Sequence, residues 1–460
     1  MTATAGVAEQ FSAIVGSDNV LAGDAINDDY THDEALTASP VRPAAVVRPG
    51  SAEEVSAILI AAGEHGVPVT ARGMGTGLSG ACVPHADGIV VAFERMNRIL
   101  EVDEENFVAV VEPGVRLDQL DEELASRGLV YPVFPGEYSA SLGGNVNTNA
   151  GGMRAVKYGV TRHNVLGVEA ALPSGKIIRS GGKLIKSSSG YDLTQLIIGS
   201  EGTLALVTKA YLRLYPRLQH GATVLAPFAT LDDVTAAVPK IVASGIGPVM
   251  LEYIDLMTMA AMVDQLELKF GVSEEIRSSA LAYLVVALEN TSKERVDEDT
   301  MALGEQLAEL GAMDVYALEP RAASELIEAR ERAFWLAKGN GADDVIDVVV
   351  PRASISAFMK KVTEIAQANE TLVVGCGHAG DGNVHMALFQ PDTEVRSRVL
   401  RGLFEAGIEL GGAISGEHGL GTEKKGYFLA LEDPAKVELM RAIKAAFDPQ
   451  GILNPGTIFD

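Results

Sequence analysis

Phe134-Pro-Gly-Glu-Tyr-Ser-Ala-Ser-Leu-Gly-Gly-Asn-Val-Asn-Thr-Asn-Ala-Gly-Gly152 decides the reading of this 460-residue chain. The stretch holds five glycines, three asparagines and one charge, Glu137. A solvated linker usually carries more charge. Glycine admits φ > 0 and lets a ligand touch main-chain N–H groups. Successive N–H groups in such turns form anion-binding concavities. Ala71-Arg-Gly-Met-Gly-Thr-Gly-Leu-Ser-Gly80 has the same character. Two such loops in one half of the chain point to one long phosphate-bearing ligand held at several points. Two ordinary glycine loops are the plainer alternative.

The first loop leaves a strand–helix–strand unit. Val46 and Val47 open it, and Ser51 with Glu54 forms an S-x-x-E capping box. Val55, Ile58, Leu59 and Ala62 recur at helical spacing, Gly66 ends the helix, and residues 67–71 form the next strand. Such a crossover implies parallel pairing. The loop therefore lies at a strand end, where α/β folds bind ligands. Gly73, Gly75, Gly77 and Gly80 do not have the G-x-G-x-x-G spacing, and Pro84 follows closely, which weighs against a nicotinamide enzyme.

Strands are expected at residues 89–93, 99–102, 107–112 and 204–214, with a short helix at 116–126. A hairpin at 165–179 turns at Pro-Ser-Gly. Pro216 marks a boundary. Beyond residue 221, apolar strands (249–254, 281–288, 345–350) alternate with longer helices (297–310, 322–336, 354–367). That pattern reads as an antiparallel sheet backed by helices, a separate cap domain. The expected class is α+β.

Apolar content of 47% and charged content of 22% are those of a globular chain. A net charge of −25 argues against binding nucleic-acid backbones or anionic lipid. No apolar run approaches the roughly 18 residues that span a bilayer. The first residues lack the basic start and apolar core of a signal peptide. Two distant cysteines, Cys82 and Cys376, suit a reduced, cytoplasmic compartment. Any membrane association is expected through a partner.

Two late stretches concentrate reactive side chains: residues 373–385, with His378 and His385, and residues 414–421, with Glu417 and His418. Asp381-Gly382 is a strong two-residue turn signal. A turn centred there sets His378 opposite His385, with Cβ atoms about 4.5–5.5 Å apart. Two imidazoles so placed can share a metal ion, and Glu417 is the best carboxylate for a third ligand. Satisfied structural histidines are the alternative. Cys376 reads as a small buried hydrophobe.

Arg72–Gly80, Pro135-Gly136, Gly143-Gly144-Asn145, Thr148–Gly152, Tyr158-Gly159 and Gly199–Thr203 resemble the FAD-binding half of the vanillyl-alcohol-oxidase-type flavoproteins. The resemblance implies two α/β subdomains clasping an extended FAD. It assigns Arg72, Gly73, Gly75, Thr76, Gly77, Leu78, Ser79 and Gly80 to the pyrophosphate. Pro135, Gly136, Ser141, Gly143, Gly144, Asn145, Thr148, Gly151 and Gly152 would line the path from adenosine to isoalloxazine. Tyr158 and Gly159 belong to the same set, and Glu201, Gly202 and Val207 would stand near the adenine. His85, the nearest histidine, reads as an ordinary loop residue, so the FAD is expected to be non-covalent.

Gly377–His385 and Ser415–Gly421 are similar to the C-terminal signature of the FAD-linked D-2-hydroxy-acid dehydrogenases: D-lactate dehydrogenase, D-2-hydroxyglutarate dehydrogenase and the glycolate oxidase D subunit. With that signature the resemblance covers nearly the whole chain. It implies His378, His385 and Glu417 as ligands of a divalent metal (zinc, with manganese or iron also accepted by this donor set). It implies His418 as catalytic base, Asn383 near the substrate, Arg330 on the substrate carboxylate and Asn454 in a tail that returns to the flavin. The expected division is a FAD-binding domain at 1–217, a cap at 218–410 and a returning segment at 411–460.

The reaction expected from the resemblance is oxidation of a D-2-hydroxy acid. The hydroxyglutarate enzymes carry a threonine and a lysine where this chain has Phe334 and Val345. D-lactate or a somewhat larger apolar acid is therefore favoured, although Lys338 could serve a dicarboxylate. A glycolate oxidase D-type subunit or a D-2-hydroxyglutarate dehydrogenase is the alternative. A metal-free flavin oxidase and a non-catalytic flavin-binding protein rank lower. An acceptor protein or quinone is the expected oxidant of the reduced flavin, and a homodimer is one candidate state.

Overall fold

The computed structural model describes residues 3–266, 268 and 270–459. A four-stranded sheet runs in the order Val20–Leu21, Ala45–Val47, Ile89–Ala92, Val69–Arg72. Its last three strands are parallel. Ala45–Val47 and Val69–Arg72 flank Ile89–Ala92, so the crossover helix Ala52–His65 spans one intervening strand. Ala45–Val47 and Ile89–Ala92 are buried throughout, as parallel strands covered on both faces are. Ser51 Oγ accepts from Glu54 N at 3.2 Å, but the Glu54 carboxylate takes Gly50 N at 2.7 Å, so only half the capping box forms.

A second, antiparallel sheet orders Ile99–Asp103, Val108–Val111, Leu206–Arg213, Val165–Ala171 and Ile177–Gly181. The glycine-rich stretch lies against its core and is not all loop: Leu142–Thr148 is helical. Glycine and asparagine are poor helix formers. Here Ser141 caps the helix from Gly144 N, Asn149 ends it at φ 55°, and Leu142 and Val146 enter the core. Those tertiary contacts override local preference.

The third sheet has seven strands, all antiparallel: Tyr316–Leu318, His220–Phe228, Ala282–Asn290, Met250–Asp255, Leu372–His378, Asn383–Phe389 and Asp344–Val349. One face packs on Leu231–Ala243, Lys293–Glu309, Ile355–Ala368 and Thr393–Glu409 through a large apolar core. The helix expected at 322–336 is two helices, Pro320–Glu331 and Ala333–Gly339, broken at Arg332 without a glycine or proline. The tail returns to the first sheet. Val69 N donates to Ile452 O, and Asn454 N donates to Val69 O, both at 2.8 Å. Among the described residues no helix is long and apolar enough to cross a membrane.

Candidate active site

Strand alternation delivers the reactive residues to one face. Val384, Met386 and Leu388 point into the helix-backed core, so Asn383, His385, Ala387 and Phe389 face the other way. Cys376 and His378 share that second face, as do Glu252 and Asp347 from neighbouring strands. The hairpin register differs from the sequence expectation. His378 pairs with Asn383 and Cys376 with His385. The loop takes four residues because His378 O accepts from both Asp381 N and Gly382 N, while Gly380 N is tied to Leu251 O. An odd shift would have reversed the faces. This one is even, and the two imidazoles meet diagonally, ring centroids 4.7 Å apart.

Both imidazoles converge on one oxygen. His378 Nε2 and His385 Nε2 lie 3.1 and 3.0 Å from Glu417 Oε1. Their other nitrogens face carboxylates: His378 Nδ1 is 2.8 Å from Glu252 Oε1, and His385 Nδ1 is 3.6 Å from Asp347 Oδ1. Burial disfavours the charged form of His378, but Glu252 and Glu417 outweigh it and hold its pKa well above the usual histidine range. Burial likewise opposes ionisation of Glu417, and His378 and His385 hold its pKa well below the carboxylate range. His418 stacks near His385, centroids 5.0 Å apart. Burial moves its pKa below the ordinary value despite Asp347.

Sequence reasoning missed Glu252 and Asp347. Asp347 Oδ2 accepts from Ser415 Oγ at 2.8 Å and from the N–H groups of Gly416, Glu417 and His418 at 2.9, 2.9 and 2.7 Å. It fixes the loop that presents Glu417 and His418. Glu252 joins His378 to Arg330, whose Nη2 lies 2.8 Å from Glu252 Oε2. The signal was a lone acid inside an apolar strand run, residues 249–254 in one case and residues 345–350 in the other.

A cavity of about 530 Å³ gathers much of the expected site. Thr76, Leu78, Pro135, Gly136 and Gly152 line it from the glycine-rich loops, and Arg330, His378, His385, Glu417 and His418 line it from the cap side. Asn383 stands behind His385, 3.4 Å from its Nε2, and is not on the lining. Arg72 Nη1 donates to His32 O at 2.6 Å. Glu201 accepts from Leu420 N and Gly421 N at 2.8 and 2.7 Å, and Asn454 Nδ2 donates to Ala81 O and Glu201 O. Val207 sits in the core of the second sheet, and Tyr158 packs edge-on against Tyr215. His85 is exposed, away from the cavity.

The loops fit a dinucleotide. Ser79 Oγ, Asn145 Nδ2 and Ser200 Oγ are buried without hydrogen-bond partners. A Cβ on Gly152 (φ 117°) would stand 1.7 Å from Phe134 O, and one on Gly151 would stand 2.4 Å from Glu417 Oε2. The unpartnered groups are available to a ligand, and Gly151 brings the loop directly against Glu417 of the histidine cluster.

Residues 43–181 match the model of an FAD binding domain, and residues 217–458 match that of the C-terminal domain of FAD linked oxidases. The chain belongs to the FAD-linked D-2-hydroxy-acid dehydrogenase family and is an FAD-dependent oxidoreductase. It is 59% identical to an uncharacterised FAD-linked oxidoreductase of Mycobacterium tuberculosis, over 98% of each chain. It is 38% identical to glycolate oxidase subunit GlcD of Bacillus subtilis (99% and 97% covered) and 36% identical to D-lactate dehydrogenase of Anaerostipes hadrus (98% and 96%). The fold is that of vanillyl-alcohol-oxidase-type flavoproteins. Substrate-bound p-cresol methylhydroxylase superposes with a TM-score of 0.80 at 19% identity, over 100% of this chain and 98% of that one.

Proposed function

We propose that the chain oxidises a D-2-hydroxy acid, D-lactate being the reference substrate, to the 2-oxo acid with non-covalent FAD and one divalent metal ion, zinc first among the candidates. The observation that carries this reading is the convergence of His378 Nε2 and His385 Nε2 on Glu417 Oε1 in the cavity that the FAD loops also line. Two imidazoles and a carboxylate, with Glu252 and Asp347 behind the imidazoles, are the donor set and outer support of a catalytic metal with an open position. Glu417 Oε2 is buried without a partner, which leaves it free for an ion.

When bound, the metal supplies a Lewis acid for the substrate hydroxyl, and the flavin supplies the acceptor of the hydride that leaves C2. The chain's own residues do the rest. Arg330 Nε is buried in the cavity wall with no hydrogen bond, a donor suited to the substrate carboxylate. His418, held neutral by burial, accepts the hydroxyl proton. Asp347 keeps Glu417 and His418 in place through three main-chain bonds.

Metal analysis tests this reading. Purified protein should carry about one divalent ion per chain. A chelator should abolish D-lactate turnover, and added metal should restore it. Full activity in metal-free protein would contradict the role given to the cluster.

A further inference from the structure

From the His385–Cys376 pair the cavity continues along the cap sheet, and its character changes. The next pairs on the same face are Val374 with Ala387, then Leu372 with Phe389. Val345 flanks Ala387 on the neighbouring strand. At the strand rise, this floor extends about 13 Å from His385. Helix Leu256–Leu266 packs over the strand Leu372–His378 and against helix Ala333–Gly339, and Ala261, Phe334 and Leu336 line the cavity from those helices. Leu372 remains 42% exposed, so the far end is open and unfilled.

The charges on the lining are unequal. Glu34, Glu137, Glu331 and Glu417 are carboxylates, and Arg330 is the one guanidinium among the described residues that line the cavity. Arg330 sits at the polar end with Glu252, and the Lys338 ammonium is paired with Glu34. A second substrate carboxylate would meet apolar walls and negative charge, with no free cation among the described residues that line the cavity.

We propose that this apolar channel, from Val374 and Ala387 to Leu372 and Phe389, binds the side chain of the substrate and selects D-2-hydroxy acids with a longer aliphatic tail over both D-lactate and D-2-hydroxyglutarate. The inference rests on the proposed oxidation of D-2-hydroxy acids and names its substrate class. Each methylene that enters such a channel is worth about a threefold to fourfold gain in binding.

The test is a series measured on the FAD-loaded enzyme with an artificial dye acceptor: D-lactate, D-2-hydroxybutyrate, D-2-hydroxyhexanoate, D-2-hydroxyoctanoate and D-2-hydroxyglutarate. The expected result is a rise in kcat/KM from lactate to hexanoate of about tenfold or more, with hydroxyglutarate below lactate. Simple alkanoates, which lack the hydroxyl, should compete with D-lactate more strongly as they lengthen. Ala261→Phe should lower the ratio of hydroxyhexanoate to lactate kcat/KM by about tenfold. A flat or falling series, a hydroxyglutarate preference, or an unchanged ratio in the variant overturns the channel while leaving the proposed oxidation intact. Failure of every 2-hydroxy acid to reduce the flavin removes the underlying reading and the channel with it.

Discussion

At the scale of single residues, Asp347 is where charge and geometry meet. Its Oδ2 takes four hydrogen bonds and its Oδ1 faces His385. Burial opposes its ionisation, but His418 and His385 keep its pKa below the ordinary value. Asp347→Asn should lower kcat for D-lactate by about 10- to 100-fold while bound FAD, read from the visible spectrum, stays near one per chain. Loss of FAD in that variant would make Asp347 a folding residue instead. Arg330→Ala should sharply lower kcat/KM for every 2-hydroxy acid, and an unchanged value would remove Arg330 from the site. To act as the proposed base His418 must be neutral, and its burial favours that form. The acid limb of the kcat profile should therefore fall below about pH 6.5. A limb above that value would count against His418 as the proton acceptor.

At the scale of elements, the loop Ser415–Gly421 binds both halves of the molecule, held by Asp347 on the cap side and by Glu201 on the FAD side. Burial raises the Glu201 pKa from 4.5 to about 7, against the two N–H donors that favour its charge. The folded protein holds this proton more tightly than the unfolded chain, so the stabilising contribution is full below pH 4.5 and is lost as pH rises to about 7. The loss is at most about 3 kcal/mol. Asp381, also raised to about 7 by burial, adds a slope of the same sign. Denaturant melts across that range should show a shallower fall for Glu201→Gln than for the parent; an equal fall would place the proton elsewhere.

Elements also mark what the sequence made legible. The crossover helix, the strand expected at 204–214 and observed at Leu206–Arg213, and the hairpin expected at 165–179 and observed at 165–181 were readable because their apolar period and turn residues act locally. The helix Leu142–Thr148 was hidden by residues of low helix propensity, since caps and burial build it. The turn signal at Asp381-Gly382 misled by two positions because neighbouring-strand bonds lengthened the loop. The structure brings together His378, His385 and Glu417, which were singled out by residue type and spacing, and His418, which was singled out by the family resemblance. Glu252 and Asp347 were not, because only the lateral register of the sheet brings them behind the imidazoles.

At the scale of the whole molecule, the FAD loops and the cap sheet close on one cavity, and neither makes it alone. FAD bound there should stabilise the folded chain by mass action. Removing FAD should lower the melting temperature by several degrees, and adding it back should restore it. An unchanged melt would separate the cofactor from the interface. In a chain of net charge −25, Arg330 is the one guanidinium among the described residues that line the cavity.

The most direct measurement is the visible spectrum of the purified protein without oxygen, before and after D-lactate or L-lactate. The expected result is a set of flavin bands that bleach with D-lactate and persist with L-lactate. Bands that persist with D-lactate and with every longer D-2-hydroxy acid would contradict the assignment of the His378–His385–Glu417 cavity to D-2-hydroxy-acid oxidation.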